Sequence, residues 1–127
     1  MAIQLIESIC YTPIHKIIKY TRFPGNKVNV MVVDWQVLPI TAASAELHVA
    51  TMETDSNLYY AIRMSGNLKS KIDSIDESIF KIKLCSGEEL IFGSPYIPVK
   101  PLFSNNLNNS KFEINYSSPS GPSTLIS

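Results

Sequence analysis

The sequence predicts an all-β chain: a single-domain antiparallel β-sandwich or small β-barrel of six to seven strands, ending in an extended C-terminal tail. Three observations carry that expectation. Alternating or β-branched apolar runs of strand length recur along the body of the chain. Short clusters with turn chemistry separate them, Pro24-Gly25-Asn26 and Cys85-Ser86-Gly87 among them. At 127 residues and 45% apolar composition, there is material for one hydrophobic core.

Taken in order, Ile14 to Phe23 is extended in character, and Lys27 to Leu38 is apolar on both faces toward its middle, as a central strand requires. The Pro24-Gly25-Asn26 cluster between them predicts a hairpin. Glu46 to Glu53 and Leu58 to Ser65 form a second pair across Thr54-Asp55-Ser56-Asn57, although Thr41 to Glu46 has the propensity for a short helix. Ser70 to Ser78 is a polar connection. In the stretch from Ile79 to Gly93, a three-residue loop with Gly87 in the left-handed conformation sets Lys83 opposite Glu89, Ile82 opposite Leu90 and Phe80 opposite Phe92. That register puts five large apolar residues on one face and leaves Ile91 as the exception on the charged one; a two-residue loop would scatter them.

Pro95, Pro98 and Pro101 then recur every third residue. A prolyl ring fixes φ and removes a donor, so this run reads as a rigid connector, packed along the domain by Tyr96, Ile97, Val99 and Leu102. Lys111 to Tyr116 alternates as the last strand, which closes the β-domain at residues 1–116. Residues 117–127 are rich in Ser, Pro and Gly, with Leu125 and Ile126 as their large apolar groups. Such a segment does not cover its own ordering cost of roughly 1–2 kcal/mol per residue, so its order is expected to come from docking those two side chains on a neighbouring subunit.

Acidic and basic residues number eleven each, and charged residues make up only 17%. A neutral, charge-poor surface favours self-association and gives no general pull toward nucleic acid or membrane. The charges are also segregated. Lys16, Lys19, Arg22 and Lys27 lie in a stretch with no acid; Asp34, Glu46, Glu53 and Asp55 follow with no base. Such zones are ordinarily solvated strand faces. The sharper reading is a basic edge of one copy meeting an acidic edge, Glu46, Glu53 and Asp55, of the next.

No catalytic, metal or cofactor site is assigned. His15 and His48 have no second ligand at a suitable spacing, Asp73, Asp76 and Glu77 lack the glycine of a calcium loop, and the glycines are isolated rather than grouped as in a phosphate loop. Cys10 and Cys85 read as reduced, buried thiols. The first residues carry no cation ahead of their apolar positions and are interrupted by Glu7 and Pro13, and no run reaches the roughly 18 apolar residues of a membrane span, so synthesis in a cytoplasm is the expectation.

The expected function is therefore a non-enzymatic assembly subunit with other protein subunits as partners, as a homo-oligomer or in a multi-component complex. Its most concrete form is a small virion structural protein of a tailed bacteriophage. The alternative is a β-barrel nucleic-acid- or ligand-binding module, in which Tyr11, Tyr20 and Phe23 stack bases while the interleaved cations of residues 11–27 follow phosphates.

Overall fold

The apolar runs of the sequence become strands in the computed structural model, which describes residues 2–41, 43–54, 57–96, 99–106, 110–118 and 123–125. Among the described residues there are eleven strands. β1 (Ala2–Pro13) leads through a 3-10 turn (Ile14–Lys16) to β2 (Ile17–Phe23), β3 (Lys27–Val32) and β4 (Gln36–Leu38). β5 (Glu46–Thr54), β6 (Asn57–Leu68), β7 (Ser78–Leu84) and β8 (Glu89–Phe92) follow, then β9 (Leu102–Asn105), β10 (Ser110–Ser118) and β11 (Ser123–Leu125). All belong to one open mixed sheet with the order β2-β3-β11-β8-β7-β1-β5-β6-β10-β9, and β4 lies beside β1. The pairing of β3 with β11 is parallel and the others are antiparallel. The sheet is not a closed barrel, and it has more strands than expected because β1 was not legible and β4, β9 and β11 are too short to show a periodicity.

β1 is the strand the sequence concealed. Its first residues pair with β5, and its later ones pair with β7 on one side and β4 on the other, so it joins the two halves of the sheet. A register shift between Ile6 and Ser8 changes the phase of alternation, which lets Ile6 and Ile9 both reach the core despite their odd spacing.

Topology forces the sheet to curl. From β1 to β2, and again from β3 to β4, the strand order counts five spacings, which amount to about 24 Å if flat. The chain crosses each gap between Pro13 and Ile17, or Val32 and Gln36, with a reach of only about 14 Å. The two halves accordingly share one buried cluster: Leu47, Ile62, Met64, Phe112 and Ile114 from one, Phe80, Ile82, Leu84, Leu90 and Phe92 from the other. Across it the Phe92 and Tyr116 rings meet edge-on at 6.5 Å between centroids.

The β7–β8 hairpin has the register its loop implies. Lys83 pairs with Glu89, Ile82 with Leu90 and Phe80 with Phe92, and Gly87 sits at φ 95° with its N–H donating to the Leu84 carbonyl. Lys83 makes its ion pair with Glu7 of β1, at 3.6 Å. Ile91 is buried too, with Ser123 of β11 as its cross-strand partner.

Elsewhere the structure corrects the sequence. Lys27 to Leu38 is two strands, broken at Val33-Asp34-Trp35 so that the chain can pass to β1. The described residues of Thr41 to Ala45 form no helix; the Thr41 N–H donates to the Asn67 carbonyl, and a Cβ on Gly66 would stand 2.8 Å from the Ala45 Cα. Tyr96 is 89% exposed and Leu102 67% exposed rather than packed; Leu102 pairs with Glu113, on the face away from Phe103 and Phe112. Val99 is buried as expected, while Ile97 lies outside the described residues. The strands do not stop at Tyr116: β10 continues to Ser118, and β11 fills the sheet interior between β3 and β8.

Candidate interaction surfaces

The β2–β3 hairpin lies at one end of the strand order, with β3 as the strand partner of β2. Its cross-strand pairs settle its two faces. Lys19 with Met31, Thr21 with Asn29 and Phe23 with Lys27 share one face; Arg22 with Val28 belongs to the other, where Val28 is fully buried. The first face is therefore turned outward. Met31 is 53% exposed, Phe23 43%, and Ile18, at the register shift of β2, 62%. Among the described residues Lys19, Arg22 and Lys27 make no ion pair.

The other expected contact residues are distributed differently. Lys16 is paired at 3.5 Å with Asp34, the first residue of the acidic stretch, so part of the supposed complementarity is satisfied within the chain. Glu46 is held by His48 at 3.2 Å. Glu53 remains exposed at the end of β5 beside Met52, which is 46% exposed. Asp55 and Ile126 lie outside the described residues. Leu125 is half-buried in β11 opposite Val28, so this half of the expected tail anchor is part of the chain's own sheet.

The aromatic residues of the basic stretch are mostly occupied. Tyr11 is tilted against Phe80 at 6.1 Å between centroids, and burial pushes its phenol above the usual range. Burial also raises the Tyr20 phenol; Arg22 pulls it back and Tyr116 raises it further. Phe23 is the aromatic of the three left exposed.

Sequence reasoning missed a groove on the outer face of β6, β9 and β10. The Arg63–Glu113 ion pair at 3.6 Å lies between two hollows of about 440 and 350 Å³. The larger is lined by Ser44, Ser65, Asn67 and Lys111, the smaller by His48, Ala50 and Asn115. The alternation of Lys111, Glu113 and Asn115 signalled an outward polar face, but nothing local showed which strands would continue it.

Both cysteines are free; Cys10 is half-buried, and Cys85 is exposed rather than buried because it begins the β7–β8 loop. His15 is exposed on the 3-10 turn, not on a strand. Among the described residues no three His, Cys, Asp or Glu side chains gather as a metal site would need, and no helix is long and apolar enough to cross a membrane. Compared with known proteins, the chain matches no family model, no curated protein and no solved structure.

Proposed function

We propose that this protein is a non-enzymatic structural subunit of a larger protein assembly, in its most concrete form a virion component of a tailed bacteriophage. One observation carries the reading. The outward face of β2–β3 exposes Phe23 and Met31 between Lys19 and Lys27, and no acid among the described residues neutralises those cations. Apolar area of this kind, set among charges of one sign, suits a partner that covers it with apolar and acidic groups. Zero net charge adds to the tendency to associate. A sandwich description of the scaffold is supported by the Phe92–Tyr116 contact across the two halves of the sheet.

The test is the mass of the purified protein in solution, measured by light scattering across concentration and salt. A discrete oligomer or polymer that loosens as salt rises is expected, because exposed charges are screened beyond about 8 Å at physiological ionic strength. A monomer at every concentration, together with tight binding of a single-stranded oligonucleotide, would replace this reading with the nucleic-acid alternative. The virion form further requires the protein to be present in purified particles.

A further inference from the structure

We infer that the free edge of β2 pairs with the same edge of a second copy, antiparallel about a two-fold axis at Thr21, a contact that rests on the assembly reading above. β2 and β9 end the strand order, so among the described residues each keeps one edge with no strand against it. Such an edge is a row of backbone N–H and C=O groups, and the chemistry that completes it is another extended strand. β9 offers four residues directly after Pro101, whereas β2 offers seven without a proline. The longer edge carries the contact.

The side chains of β2 select the register. A two-fold axis through a sheet keeps each face on its own side, so one residue must lie opposite its own copy. Lys19 or Arg22 in that place would press like charges together. Tyr20 there would bring Ile18, the extra residue where β2 shifts against β3, into the ladder, and Phe23 there would run the pairing into Pro24. Thr21 meets none of these obstacles. It sets Thr21 against Thr21, Lys19 against Phe23 of the second copy, and Tyr20 against its Arg22. With the pairs inside each hairpin, the outward row then reads Met31 and Lys19, followed by Phe23 and Lys27 of the second copy; the opposite row reads Val30 and Tyr20, followed by its Arg22 and Val28. In both rows each cation lies beside an aromatic ring and none lies beside another cation. Lys19, Arg22 and Phe23 are all exposed in the single chain. Five residues from each copy make a narrow, dissociable contact, and the two outward β2–β3 faces then stand side by side for a further partner.

The experiment uses the full-length chain with its own thiols removed by Cys10→Ala/Cys85→Ser. In that background Thr21→Cys, incubated with oxidised glutathione, is expected to give a disulfide-linked dimer, because opposed residues of an antiparallel pair have Cα atoms about 4.5–5.5 Å apart, within disulfide reach. Met31→Cys, exposed but one strand further from the axis, should stay unlinked. In sedimentation Thr21→Glu and Thr21→Lys should each dimerise about tenfold more weakly than the wild type, since like charges then meet on the axis. Mixed in equal amounts, these two should recover dimers of one copy of each. No link at Thr21, equal linking at Met31, or a Thr21→Glu chain that dimerises like the wild type would overturn the inference while leaving the assembly reading intact. A wild type that stays monomeric at every concentration would overturn both. Should the charged variants melt early, the comparison of Thr21→Cys with Met31→Cys decides alone, because threonine and cysteine are close in size and both uncharged.

Discussion

The hairpins β7–β8 and β2–β3 sit in the same half of the sheet, separated by β11, and share much of their local chemistry. Each joins apolar strands through a turn with positive φ, Gly87 in one and Gly25-Asn26 in the other. Their fates differ because their neighbours differ. β7–β8 has β1 on one side and β11 on the other, and it is buried on both faces, Phe80, Ile82 and Phe92 on one and Ile79 and Ile91 on the other. β2–β3 has a strand neighbour only at β3, and Ile18, Phe23 and Met31 remain at the surface. Apolar content alone therefore does not decide whether a strand belongs to the core. What decides is how many of its sides the rest of the chain covers.

The sharpest test of this contrast exchanges phenylalanine for alanine in each hairpin. Phe80→Ala, fully buried, should cost about 3–5 kcal/mol, whereas exposed Phe23→Ala should stay within about 0.5 kcal/mol in urea unfolding. Equal losses would mean that Phe23 is core and that the outward face is misassigned.

Removing residues 119–127 takes away β11 and exposes both hairpins at their shared boundary. Ladder hydrogen bonds are worth about 1 kcal/mol each, and Val28 and Ile91 lose their cover, so a loss of about 2–4 kcal/mol is expected. Hydrogen exchange should rise first in β2 and β3. Unchanged protection there would remove β11 from its structural role.

Gly87→Val should cost about 1–2 kcal/mol from backbone strain alone, since φ is 95° and nothing lies within 4 Å of an added Cβ. Gly87→Asn should recover part of that loss. A neutral valine would contradict the turn geometry on which the register of β7–β8 depends.

The smallest effect is on pH dependence. The phenols of Tyr11 and Tyr20 are raised in the folded chain, mainly by burial, while in the unfolded chain they titrate near 10. Below that value both states hold these protons and the contribution is constant. Above it the unfolded chain releases them first, so stability falls as pH rises. Urea midpoints at about pH 8 and about pH 11 should show the decline, and Tyr11→Phe/Tyr20→Phe should make it shallower. An unaltered slope would assign the decline to other groups.

Local chemistry in the sequence determined the β class, the two hairpins, the pairing of β5 with β6, and the register at Lys83–Glu89, because turn residues and a period of two act over only a few positions. It also placed the cations of β2–β3. Tertiary structure alone decided the rest. β1 lost its visible period to the register shift after Ile6 and needed β5, β4 and β7 to be recognised as a strand. Ser123 to Leu125 carries too little apolar surface to announce itself, yet becomes an interior strand because β3 and β8 offer it unpaired backbone on both sides. Tertiary pairing also brought Asp34 to Lys16, while Lys19, Lys27 and Glu53 were left at the surface, since ion pairing depends on proximity in space and not on order along the chain.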